Sequence, residues 1–230
     1  MEKNFITWKS VKLKRLTTNN ITSNDIVFLF NCHQDYNTRY LYSKDMTIKS
    51  KNDFTKDFYK KLNYKYHEFM TIKSVDNDDE YIGFINSFRY NPNDGNLYTT
   101  ICICSKYRNT IYGVQAGMAF YDYLFNKYTI RKIYCSVYDY NKMSMKFLKT
   151  AGFKVEGILK SNKYFNGKYF DMYIFSLYKE DFSILKKRLK MNKNEQKWTM
   201  NCSFLFIYQF YIYLVNNIRE GSCYFFLIIY

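Results

Sequence analysis

The chain of 230 residues holds one proline and eight glycines, which excludes collagen-like and proline-rich or glycine-rich linker sequences. It has two histidines, His33 and His67, and none of its six cysteines stands in the CxxC spacing of a zinc or redox site. No metal centre is expected, and the thiols read as buried and free. No apolar run reaches the ~20 residues that a helix needs to cross a bilayer. Residues Met1 to Lys14 are polar and basic, without the apolar core of a secretory leader. These absences predict a reducing, cytoplasmic setting. What is plentiful is side chain for a core: 47% of the residues are hydrophobic and 21% aromatic, enough to exclude a disordered chain.

Charge is the second feature. Thirty-five basic against twenty acidic residues leave a formal net charge of +15, which draws polyanions, anionic lipid and phosphate-bearing ligands toward the surface. The excess is spread along the chain, and no basic run interleaved with aromatics marks a groove reader, so no specific nucleic acid partner is expected.

Periodicity divides the chain into alternating elements. A strand is predicted around Val11 to Leu13, a helix capped within Thr22 to Asp25, and a second helix from about Asn52 to Leu62. Three strands joined by hairpin turns follow, at Phe69 to Val75, Tyr81 to Phe88 and Leu97 to Cys104. Then come a helix over Val114 to Phe125, a strand at Ile133 to Tyr138, and a helix from Asn141 to Thr150 stopped by Gly152. Two last strands flank the turn Asn166-Gly167. The order predicts one α/β domain over 1–182, a mixed sheet with helices on both faces. A basic helix and polar linker occupy 183–200. From Cys202 the fourteen residues CSFLFIYQFYIYLV, none of them charged, open an apolar tail over 201–230. That tail is shorter than a bilayer span. It reads as an interfacial or oligomerising segment, a marginal anchor, or an extension without selected function, and membrane contact through it is not expected.

The chemistry concentrates where the strand ending at Cys104 passes through Ser105-Lys106-Tyr107-Arg108-Asn109-Thr110-Ile111 into a helix beginning near Tyr112-Gly113. A helix start after a strand and tight loop presents free N–H groups and a positive dipole end, a ready site for a diphosphate. Gly113 lets backbone approach a ligand, and Arg108 carries charge at the loop's start. Downstream stand Asn141-x-x-Ser144, Gly152-Phe153, Glu156-Gly157 and Tyr164-x-Asn166-Gly167-x-Tyr169-x-Asp171. In order and spacing, these residues resemble the GNAT superfamily of acyl-CoA-dependent N-acyltransferases, in its RimJ/RimL-type branch, over roughly Val11 to Phe182.

The resemblance implies a GNAT-like, mostly antiparallel sheet that splays between the fourth and fifth strands counted above. It implies acetyl-CoA as co-substrate and direct attack on the thioester by a primary amine, either a protein N-terminal α-amine or a small-molecule amine. The family's acyl-CoA loop falls on Arg108, Asn109, Thr110, Ile111, Tyr112 and Gly113, with Val114 following. Ile111 replaces a glycine there, and a β-branched residue resists positive φ. The strand before the loop would pair the cofactor's arm through Ile101 and Ile103, and a backbone N–H near Ile103 would receive the developing oxyanion. Asn141 would contact the cofactor. Leu148 stands where many members carry a tyrosine acid, which leaves Ser144 to protonate the leaving thiolate, with Tyr140 and Tyr164 as alternatives. Lys163 stands where the branch carries an acid, so no general base is identified. Acceptor contacts are expected from Asp35, Tyr36, Arg39 and Tyr40 and from the hairpin around Phe165 to Lys168. A homodimer is compatible with this reading. The rival reading is an acyl-CoA-binding module with impaired catalysis. Asn141 is also an ordinary helix cap, and His33 and His67 read as packing residues.

Overall fold

The computed structural model describes residues 5–43, 46–77 and 79–191; the apolar tail over 201–230 lies outside them. The strands are β1 (Phe5–Trp8), β2 (Val11–Arg15), β3 (Phe69–Ser74), β4 (Tyr81–Asn91), β5 (Asn96–Ile103), β6 (Lys132–Tyr138), β7 (Lys154–Phe165) and β8 (Lys168–Tyr178). The α-helices are α1 (Ser23–Gln34), α2 (Tyr36–Arg39), α3 (Lys51–Leu62), α4 (Tyr112–Lys127), α5 (Lys142–Thr150) and α6 (Lys179–Met191). The strands form one sheet in the order β1-β2-β3-β4-β5-β6-β8-β7. Every pair is antiparallel except β5 with β6. This is the mixed α/β GNAT fold. The hairpin partner β1 was not anticipated from sequence, so the strands counted there as fourth and fifth are β5 and β6.

Turn chemistry sets the local geometry. Asn166 and Gly167 take φ of 46° and 78°, the two positive values that a tight hairpin matched to strand twist demands. Thr22 caps α1 in a reciprocal box with Asp25, Ser50 caps α3, and Asn141 caps α5. At Gly83 an added Cβ would stand 2.1 Å from the Cys102 carbonyl oxygen. Only glycine lets β4 and β5 approach this closely, and the approach fixes β5 just before its end.

Both faces of the sheet are covered. α4 packs over β1, β2, β4 and β5, with Gly117 against Ile101 and Gly113 against Ile103. On the opposite face α1 and α3 bury Ile26, Leu29, Cys32 and Phe58 against Phe69, Phe84 and Cys102. Central strands covered on two sides lose the alternation of half-exposed ones, as the mostly buried first half of β4 shows. Two buried carboxylates pin this frame. Glu68 meets Arg15 Nε at 2.7 Å, Lys127 Nζ at 3.0 Å and the Tyr128 hydroxyl. Asp25 meets Lys14 Nζ at 2.5 Å and the Tyr81 hydroxyl at 2.7 Å. Burial works against each negative charge, but these hydrogen bonds outweigh it and hold both carboxyls below their ordinary range.

Candidate active site at the strand splay

β5 and β6 pair only from Asn96–Lys132 to Tyr98–Tyr134. Beyond that point Thr99 closes the apex: its hydroxyl reaches the Tyr134 carbonyl at 3.4 Å and lies 3.2 Å from Cys135 Sγ, with the Tyr121 hydroxyl 3.7 Å from the same sulfur. Past the apex, the rest of β5 has no strand on its β6 side among the described residues.

The pairing of β5 with β4 determines what the cleft receives. Cys104 N–H donates to the Ile82 carbonyl at 2.9 Å, and Ile103 and Ile101 stand opposite Gly83 and Ile85. In an antiparallel ladder this parity directs the backbone groups of Cys102 and Cys104 at β4 and turns those of Ile101 and Ile103 into the cleft. An extended, amide-bearing ligand arm can therefore pair with β5 as a strand would.

At the mouth lies the loop into α4. Ile111 occupies the cap position with φ −69° and ψ −14°, and no side chain caps the helix. The expected conflict over this β-branched residue does not arise, because the left-handed position of the loop is Asn109, with φ 65°, and asparagine tolerates that region. Thr110 Oγ1 accepts from Tyr112 N–H at 3.4 Å. A Cβ at Gly113 would meet only Ile103 Cγ1, at 3.5 Å, so the protein's own packing does not require glycine there. Val114 sits in the helix's first turn beside it. Arg108 turns elsewhere: its guanidinium donates to the Ile103 carbonyl (3.2 Å), the Asn37 carbonyl (3.3 Å) and the Thr38 hydroxyl (2.5 Å). It ties α2 to the end of β5.

On the other lip, Asn141 Oδ1 accepts from Ser144 N–H at 3.2 Å, as a helix cap. Ser144 lies one turn before Leu148 on the same helix stripe. Leu148 is 6% exposed, so this position is part of the core. The Tyr140 hydroxyl donates to the Tyr40 carbonyl at 2.8 Å, and Tyr164 packs on Tyr169 with the rings tilted, near the exposed hairpin tip. Ser144 is thus the hydroxyl of the three on the first turn of α5.

The acceptor side is built from rings. Tyr36 of α2 and Tyr40, its C-terminal cap, stack on Phe165 of the β7–β8 hairpin, and Tyr40 and Phe165 also pack on Tyr140. Asp35 caps α2 by accepting from Asn37 N–H at 3.0 Å. Arg39 is buried and donates to the carbonyls of His33 and Thr47. Both act as supports of α2. His67 lies with Nδ1 3.1 Å from the Lys61 carbonyl and Nε2 3.2 Å from Asn86 Nδ2, and His33 packs on Phe54. Sequence reasoning missed the Thr99-Tyr121-Cys135 apex, which joins three distant segments.

Residues 15–154 match the acetyltransferase (GNAT) domain family. An uncharacterized SPbeta prophage-derived N-acetyltransferase of Bacillus subtilis, YokL, is 24% identical over 117 residues. That match covers 51% of this chain and 66% of the relative, just under two thirds of its length. Among solved structures, a spermidine N-acetyltransferase from Vibrio cholerae in complex with CoA and spermine superposes with a TM-score of 0.68 at 17% identity. It covers 76% of this chain and 99% of that one. A GCN5-related N-acetyltransferase from Brucella melitensis superposes at 0.66 with 16% identity, covering 83% and 86%. Sheet order, splay and family match agree, and the chain belongs to the GNAT acetyltransferase family.

Proposed function

We propose that this chain transfers the acetyl group of acetyl-CoA to a primary amine, a protein N-terminal α-amine or a small-molecule amine, in the manner of the RimJ/RimL branch. The catalytic domain is residues 1–182, acting in the cytoplasm, a setting consistent with the free thiols of Cys32, Cys102, Cys104 and Cys135. The carrying observation is the splay: a strand edge that turns the backbone groups of Ile101 and the Ile103 N–H outward leads to a helix start whose cap residue has no accepting side chain. Acetyl-CoA suits this geometry. Its diphosphate is an anion for the first turn of α4, around Thr110, Ile111, Tyr112, Gly113 and Val114. Its amide arm pairs with β5.

In this reading the Ile103 N–H polarises the thioester carbonyl and stabilises the charge that develops on oxygen. The amine nitrogen bonds the carbonyl carbon, the C–S bond breaks, and Ser144 gives its proton to the leaving sulfur. Asn141 holds α5 in place through its cap and positions Ser144. Ser144→Ala is expected to slow thiol release on the order of a hundredfold while acetyl-CoA affinity stays within twofold.

Buried Leu148 favours a second reading, an acyl-CoA-binding module with impaired catalysis. Thiol release from acetyl-CoA by the full chain, measured with a panel of amines beside direct cofactor binding, separates the two. Release with an amine supports transfer; binding without release from any amine supports the module; no binding refutes both.

A further inference from the structure

The end of β6 carries a carboxylate that the fold does not use. Asp139 N–H donates to the Asp171 carbonyl at 3.0 Å, which continues the β6–β8 register by one residue beyond Tyr138–Met172. The two aspartates therefore stand directly opposite each other, an unfavourable arrangement for like charges. Asp171 is fully engaged, with Lys160 Nζ at 2.8 Å on one oxygen and Ser161 N–H at 2.9 Å on the other. Asp139 is not: its Oδ1 is buried and meets no hydrogen-bond donor among the described residues. The local sum is two carboxylates against one bound ammonium. A buried carboxylate oxygen without a donor is costly, and such groups mark catalytic or ligand-binding positions.

Its surroundings point to the missing partner. The register that pairs Tyr98 with Tyr134 brings Asp139 level with Ile103 across the splay, beside the reaction centre proposed above. The next residue, Tyr140, belongs to the ring wall, with Tyr40 at 5.7 Å, Phe165 at 5.4 Å and Phe170 at 5.0 Å. Half-exposed Tyr36 extends the wall outward. Aromatic faces attract an ammonium and accept a flat or apolar body. The other carboxylates beside the wall are committed, Asp35 to the α2 cap and Asp171 to Lys160. A ligand with several ammonium groups would find one carboxylate for them and would also face the hairpin lysines Lys163 and Lys168.

We propose that Asp139 receives the ammonium of the acceptor, and that the acceptor is a singly charged primary amine on an aromatic or apolar body and not a polyamine. This rests on the acetyltransferase reading. One ammonium proton passes to the Asp139 carboxylate and on to solvent. The nitrogen then attacks the thioester, and the second proton lost from nitrogen balances the thiol that leaves.

The test compares the full-length chain with Asp139→Asn, using tyramine, phenylethylamine, a peptide with a free N-terminal methionine, and spermidine. Acetyl-CoA binding, the kinetic constants for each amine and the melting temperature are read together. The expected result is transfer to the monoamines or the peptide in preference to spermidine. Asp139→Asn should raise KM for the amine about tenfold or more, the weight of a charge-assisted hydrogen bond, with KM for acetyl-CoA within twofold. Its melting temperature should be equal or higher, because the like charge facing Asp171 and a carboxylate oxygen without a donor are removed. A structural carboxylate would instead lower the melting temperature and leave the amine constants alone, and that outcome overturns the proposal. So does preference for spermidine, or transfer to none of the four amines while acetyl-CoA binds. Absence of acetyl-CoA binding refutes the underlying reading separately.

Discussion

Helices α1 and α4 begin at the same sheet with opposite treatments of their first turn. At α1, Thr22 accepts from Asp25 N–H, and Asp25 accepts from the Thr22 N–H at 2.9 Å while also holding Lys14 and Tyr81. At α4, Ile111 stands at the cap position with no side chain that can accept, and the turn's first N–H, of Tyr112, has only the long 3.4 Å contact to Thr110 Oγ1. Helix N-terminal N–H groups need partners wherever they come from. The difference teaches where the chain meets that need internally and where, in the proposed reading, a ligand meets it.

Breaking the closed end has the largest expected effect. Asp25→Ala leaves the Lys14 ammonium without its buried partner and should cost about 3 kcal/mol in urea unfolding, with acetyl-CoA affinity unchanged in the folded fraction. At the open end, Gly113→Trp should reduce acetyl-CoA affinity by at least about a hundredfold, roughly 2.8 kcal/mol, while the unfolding midpoint holds. Only Ile103 Cγ1 faces the added Cβ. An unchanged affinity would show that the diphosphate lies elsewhere.

Converting one end into the other sharpens the contrast. Ile111→Asp supplies α4 with a cap and should stabilise the apoprotein by about 1 kcal/mol. The same carboxylate should weaken acetyl-CoA binding, read by calorimetry, because it competes for the helix start. The gentlest probe is pH. Because the hydrogen bonds hold the folded pKa of Asp25 below the unfolded one, its contribution is complete above the ordinary carboxylate range and is lost as pH falls through the folded value. Unfolding free energy followed from pH 6 downward should decline less steeply in Asp25→Asn than in the wild type.

Most of the fold was legible because its elements have strong local signals. The cap before α1, the Asn166-Gly167 turn and the Gly152 stop are chemistries of a few adjacent residues, and each falls where sequence predicts it. β1 was not legible: four residues with no buried side chain owe their strand conformation to pairing with β2. α2 is one turn held by Asp35, Arg39 and Arg108, all three of which sequence reasoning assigned to ligands. Isolated charges look the same in a sequence whether they face a substrate or a backbone carbonyl. Ile111 teaches the converse, since the loop takes its left-handed turn at Asn109 and no conflict arises.

The sequence by itself determined the alternation of strands and helices, the loop and helix start that suit a diphosphate, and the order of residues that resembles an acyltransferase. These depend on periodicity and on contacts between neighbours in the chain. Tertiary structure alone decided which backbone groups face the cleft, through the parity of β5 on β4. It also turned Arg108 toward α2, buried Leu148 and left Asp139 Oδ1 without a donor among the described residues. Each is set by partners tens of residues away, and the geometry that joins them exists only once the sheet has formed.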